Sequence, residues 1–145
     1  MAKQVTLKAT KDRIAKVAAD EVEDRLRHIA SYAVTVSPVD TGAYVESFSL
    51  LRAGSGGGRS KSSDARANGV KKGTGGANPE SFRDVARQNL SGDIEALNVE
   101  EMIQSENPRV TLRNRAPHAK SVEDGTDWQH HDGYYVFTKI RNRFG

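Results

Sequence analysis

Between Arg52 and Asn78 the chain has almost no side chain with which to build a core. Residues 52–76 include eight glycines (54, 56, 57, 58, 69, 73, 75 and 76), and six basic residues, Arg52, Arg59, Lys61, Arg66, Lys71 and Lys72, face Asp64 alone. Such a stretch buries too little apolar surface to offset the entropy of ordering it. We read 52–78 as a long flexible loop, a length that inside a compact domain usually signals function or disorder. The core must then come from the two flanks. With 145 residues in total, the chain suits one domain spanning 1–145, with the loop as an insertion.

The N-terminal flank predicts a helix over about 11–35. Thr10 is placed to cap it, with Asp12 in the first turn, where a carboxylate suits the helix dipole. Ile14, Ala18, Val22, Leu26, Ile29, Ala30 and Ala33 recur at spacings of three and four and predict an apolar stripe. Pro38 ends the helix, because the residue before a proline is pushed out of the α region. Ser37-Pro38-Val39-Asp40-Thr41-Gly42 then has turn chemistry. Ala43 to Phe48 fits a short helical turn and Phe48 to Leu51 the start of a strand, and the pattern alone does not separate the two.

In the C-terminal flank Asn78, Pro79 and Glu80 open a second helix, carried by Phe82, Val85, Ala86 and Leu90, with Gly92 as a point of interruption. Ile94 to Ile103 suggests a further helical piece. Val110 to Asn114 alternates as a strand does, and Ala116 to Thr126 reads as strand remnant plus turn. Asp132 is placed to cap a last element, Tyr134 to Phe144, whose apolar residues fit either a helix or a strand, with the helix preferred. The fold class expected is α+β.

Composition narrows function. Hydrophobic residues are 36% of the chain, below the roughly 45–50% of a typical domain, so the core is small. The net charge of +3 is too mild to announce a DNA-binding protein. Cysteine is absent, which excludes disulfides, thiolate metal sites and thiol catalysis and fits a reducing compartment. No run approaches the ~18 apolar residues of a membrane span, and the first residues lack the apolar stretch of a signal peptide.

His118, His130, His131 and Asp132 are the only metal candidates, and their spacing matches no zinc pattern. The glycines around Arg59 and Lys61 lack the Gly-x-x-x-x-Gly-Lys-Ser/Thr of a phosphate cradle. There is no Gly-x-Ser-x-Gly elbow. Glu123 and Asp124, in a turn-like string, are better suited to solvation or capping than to acid–base work. The feature above background is the basic loop, where Arg59, Lys61, Arg66, Lys71 and Lys72 are candidate contacts to DNA phosphates or to an acidic partner. The loop has no aromatic residue for base stacking.

Two strings matter together: Ser37-Pro38-Val39-Asp40-Thr41-Gly42 after a long helix, and Asn114-Arg115-Ala116-Pro117-His118-Ala119-Lys120-Ser121-Val122-Glu123-Asp124-Gly125-Thr126 about seventy residues later. This arrangement resembles the HK97 gene product 10-like family of tailed-phage neck and tail-completion (head–tail joining) proteins. There Pro-Val-Asp-Thr-Gly follows a helix, and Asn-x-x-x-Tyr/His-Ala-x-x-x-Glu-x-Gly-Thr follows a variable middle. The resemblance covers roughly 10–50 and 108–144. Tyr44 stands where the family often has Leu, and His118 where Tyr is common.

The resemblance implies a structural virion protein rather than an enzyme, with a long helix packed on a small antiparallel sheet and no cofactor or metal. It implies a ring of copies, commonly sixfold, at the head–tail junction or the top of the tail, with genomic DNA passing through non-specifically. The expected partners are further copies of the chain, the portal, adaptor or stopper proteins of the head, and the tail tube or terminator. The expected location is the virion neck, and the host cytoplasm during assembly. A tail terminator and a nucleic-acid-binding module acting through 52–76 are the alternatives. Pro38, Val39, Asp40, Thr41, Gly42, Asn114, His118, Ala119, Glu123, Gly125 and Thr126 are then expected to fix backbone geometry. Trp128, Tyr134, Tyr135 and Phe137 are expected as exposed apolar surface for partners.

Overall fold

A computed structural model of the chain describes residues 2–39, 42–52, 54, 56–60, 79–126 and 131–145. The architecture is α+β: a long helix α1 (Ala2–Val36) lies against a two-stranded antiparallel sheet and a set of shorter helices. After α1 a short 3-10 turn, Val45–Ser47, leads into β1 (Phe48–Arg52). Helices α2 (Pro79–Ala96) and α3 (Val99–Met102) precede β2 (Val110–Asn114). The chain closes with α4 (Ala119–Asp124), the two-residue strands β3 (Gly125–Thr126) and β4 (His131–Asp132), and α5 (Val136–Phe144). Strands β1 and β2 pair with Phe48 opposite Asn114 and Arg52 opposite Val110, and β3 pairs with β4. Among the described residues no helix is long and apolar enough to cross a membrane.

The core sits between α1, α2, β1 and α5. Ala30, Ala33 and Val34 of α1 meet Ala86, Leu90 and Ile94 of α2, Phe48 and Leu50 of β1, and Val136 and Ile140 of α5. The alanines leave α1 a thin face, so its neighbours approach closely. A smaller cluster, Ala19 with Leu97, Val99 and Met102, fixes α3 on the same helix, and Leu26 and Val110 border both clusters. At the far end Tyr32 packs edge-on against Phe144 with centroids 5.7 Å apart, and the Arg143 guanidinium lies 4.7 Å above the Tyr32 ring. Those contacts hold α5 on α1 by aromatic and cation–π attraction.

Several expectations are corrected. The helix starts before Thr10, because Ala2 to Ala9 includes good helix formers and nothing that breaks a helix. Ile14 is 64% exposed and does not belong to the core face. Each four-residue step advances about 40° beyond a full turn, so Ile14 lies about 120° around the helix from Leu26. Helix α2 runs through Gly92 without a break. Residues 119–124 are helical rather than strand and turn, with Val122 buried and Gly125 stopping the helix at φ 83°, a conformation that suits glycine. Asp132 pairs in β4 and does not cap α5. The expected cap at Asn78 lies outside the described residues.

Candidate functional site

The turn that follows the first string is tied to the start of the second. Gly42 turns the chain at φ 81° so close to Phe82 in α2 that a β-carbon there would overlap the ring. Two residues on, the Tyr44 carbonyl accepts a hydrogen bond from Asn114 Nδ2 at 2.8 Å. Asn114 Oδ1 accepts in turn from the amide of Ala116 at 3.0 Å. One side chain thus ties the turn after α1 to the end of β2 and shapes the bend that follows. The ring of His118 stands 6.4 Å from that of Tyr44, at the start of α4, and the His118 carbonyl accepts the Val122 amide.

Glu123 connects this joint to α5. Its carboxylate accepts the amides of Phe137 at 3.1 Å and Thr138 at 3.3 Å, and its backbone carbonyl accepts that of Tyr135 at 3.1 Å. Helix α5 has no capping side chain of its own, since Tyr135 enters it in the left-handed region at φ 50°. The carboxylate satisfies two amides that the first helical turn leaves open and opposes the positive end of the helix dipole. Glu123→Ala is therefore expected to cost about 1–2 kcal/mol, read by urea unfolding, with faster amide exchange confined first to 136–139. Equal exchange in both proteins would exclude the capping role.

Tyr44 is 3% exposed, and its hydroxyl has no hydrogen-bond partner among the described residues. Burial, then the Glu123 charge, pushes its pKa well above the ordinary phenol value. In the unfolded chain the phenol ionises near pH 10, whereas the folded protein resists losing that proton. Stability is therefore expected to be intact below about pH 10 and to fall as pH rises above it. Tyr44→Phe removes this alkaline loss and, with no hydrogen bond forfeited, leaves neutral-pH stability equal or raised by up to ~1 kcal/mol. Melting curves between pH 8 and 11 check both parts.

The basic loop is partly pinned. Arg59 is a fixed structural residue rather than a free contact: its guanidinium donates to both carboxylate oxygens of Asp93 at 2.5 and 2.8 Å, to the Phe48 carbonyl at 2.7 Å and to the Asn89 carbonyl at 3.2 Å. Its amide donates to Ser49 Oγ, Arg113 donates to the Gly57 carbonyl, and Ser60 Oγ to that of Arg115. Asp93 also accepts the Leu50 amide at 3.0 Å. Residues 57–60 thus form a strap against the sheet, which corrects the reading of 52–78 as loose throughout.

Among the other expected site residues, Pro38 and Val39 are half-buried, with Val39 packed on the core. Ala119 opens α4, and Gly125 closes it. Thr126 pairs with His131 through the backbone of β3 and β4. Asp40, Thr41, Lys61, Arg66, Lys71, Lys72, Trp128 and His130 lie outside the described residues. Among the described residues no three His, Asp or Glu side chains are grouped to hold a metal ion. Tyr134 and Tyr135 are 45% and 48% exposed, as expected. Phe137 instead packs on the core, 6.0 Å from the Phe48 ring. Sequence reasoning missed Asp93 and the exposed Val17. Comparison with protein-family models, with curated proteins and with solved structures finds no match.

Proposed function

We propose that this chain is a structural virion protein of a tailed phage, a subunit of a ring at the head–tail junction or the top of the tail. The observation that carries the reading is the joint: Asn114 of the second string holds the Tyr44 carbonyl, two residues past the first string, and Glu123 of the second string caps α5. Side chains in both strings are engaged in holding backbone, as a scaffold for surface contacts requires. The exposed apolar side chains Tyr134, Tyr135, Ile14 and Val17 are surface suited to neighbours. The partners in this reading are further copies, the portal, adaptor or stopper of the head, and the tail tube or terminator.

DNA would traverse the ring and meet basic side chains without sequence readout. Lys61, Arg66, Lys71 and Lys72 are the loop residues this reading assigns to that role, Arg59 being engaged by Asp93.

Electron microscopy of lysates from a phage lacking this chain, with and without complementation, tests the reading. Separate DNA-filled heads and finished tails, rescued by the intact protein, are the expected result. Overlong tails would assign the chain to tail termination instead. Normal infectious particles would overturn both.

A further inference from the structure

The N-terminal part of α1 extends past the body of the protein. Residues 9–14, 16 and 17 are all exposed, and from Ala9 onward the first buried residue among the described ones is Ala19. From Ala9 to Val17 this arm is about 13 Å long. It carries two large apolar side chains on one face, Ile14 at 64% and Val17 at 63% exposure. It is also basic: Lys11, Arg13 and Lys16 stand against Asp12, whereas Asp20, Glu21, Glu23 and Asp24 follow directly with no basic residue among them.

A groove of about 520 Å³ opens beside that acidic segment. Its apolar lining is Ala18, Val22 and Phe144, and its acidic lining is Glu21 and Asp24. Arg25 at the same groove is committed to the Phe144 carbonyl, and His28 stands 3.5 Å from Asp24. Arm and groove are therefore complementary twice over: exposed aliphatic side chains against an apolar lining, and basic residues against acidic ones. They lie on one continuous helix, Ala2–Val36, so the arm cannot fold back into its own groove. The occupant has to come from another molecule.

We infer that the arm of one copy packs along α1 of the next, with Ile14 and Val17 in the groove beside Phe144 and Lys11, Arg13 and Lys16 against Glu21 and Asp24. Two different patches of one chain meet, which makes the contact head-to-tail, and such contacts close into rings when the rotation per copy divides a full turn. The inference rests on the ring reading and gives it a specific contact. The ion pairs orient the arm and weaken with salt, while the aliphatic pair supplies desolvated area.

The experiment uses the full chain in sedimentation velocity over a concentration series. Ile14→Asp with Val17→Asp is expected to shift assembled protein to monomer with an unchanged circular dichroism spectrum, because neither residue belongs to a core cluster. Reversing Lys11, Arg13 and Lys16 to Glu is expected to weaken association roughly tenfold or more, and Glu21→Lys with Asp24→Lys to do the same. Mixing the two charge-reversed proteins should restore assembly. Because the chain has no cysteine, oxidising a mixture of the Val17→Cys and Asp24→Cys proteins should give the mixed disulfide dimer in preference to either homodimer.

Assembly that survives Ile14→Asp/Val17→Asp would overturn the arm contact and leave the ring reading standing. So would a Val17→Cys homodimer as the sole product, which means arm against arm. Wild-type protein that stays monomeric up to its solubility limit overturns the arm contact, while the phage-deletion experiment decides the ring reading separately.

Discussion

Gly42→Ala is expected to destabilise the fold by about 3 kcal/mol, from two sources that an experiment separates. The first is backbone: at φ 81° a side-chain-bearing residue pays roughly 1–2 kcal/mol. The second is steric: a β-carbon at Gly42 would stand 2.8 and 2.9 Å from two carbons of the Phe82 ring and closer still to a third. Real β-carbons essentially never come that near, so the ring or α2 must move, a cost typical of overpacking at roughly 1–3 kcal/mol. In a chain of this length the sum lowers the melting temperature by roughly 10 °C. A double-mutant cycle with Phe82→Ala isolates the steric part, which has no object once the ring is gone. The double variant should be more stable than the sum of the single losses implies by about 1–2 kcal/mol. Additivity within about 0.5 kcal/mol would show that the glycine is required by its dihedral alone. Either way the consequence reaches the joint, because the Gly42 carbonyl accepts the Glu46 amide at 3.0 Å in the turn that presents the Tyr44 carbonyl to Asn114.

What the sequence revealed of this arrangement follows from how local each interaction is. Proline, glycine and alternating apolar residues act on their own neighbourhood, so the end of α1 near Pro38, the strand at 110–114 and the α+β class are legible. That Gly42 faces a phenylalanine forty residues on is not, because the contact depends on where α2 docks. Glu123 is legible as a capping residue, yet the helix it caps begins thirteen residues later, and its amides are supplied by tertiary structure. Arg59 is the clearest limit. A charged residue among glycines carries no periodicity and reads as solvated, whereas its partner Asp93 sits inside α2 with nothing nearby to mark it. Ile14 shows the opposite failure: its spacing fits the stripe locally, but the helical drift over three steps carries it off the core face.

Asp93→Ala is expected to cost about 2–3 kcal/mol, the range for hydrogen bonds to a charged group, discounted because Arg59 and Asp93 remain 30% and 17% exposed. The carboxylate serves three donors at once, the Leu50 amide and two guanidinium nitrogens of Arg59. Leu50 and Phe48 have their outward backbone groups on the side of β1 away from β2, so Asp93 and Arg59 together occupy the sheet edge that pairing leaves open. An unoccupied edge is a template for further strands. Two readouts are therefore expected to move together in Asp93→Ala: a lower urea midpoint, and association at high concentration that thioflavin binding or light scattering detects. Asp93→Asn separates charge from geometry, since an amide oxygen can still accept from Leu50; it should keep the edge closed and recover about half of the loss. Arg59→Ala should loosen the 57–60 strap, with faster amide exchange there. The Arg59→Ala/Asp93→Ala double variant should cost less than the sum by roughly 1–2 kcal/mol, as partners in one network do. Equal and additive losses without association would mean that the pair only adds stability and does not guard the strand. Association with an unchanged urea midpoint would mean the reverse, an edge guard that contributes little to the fold it protects.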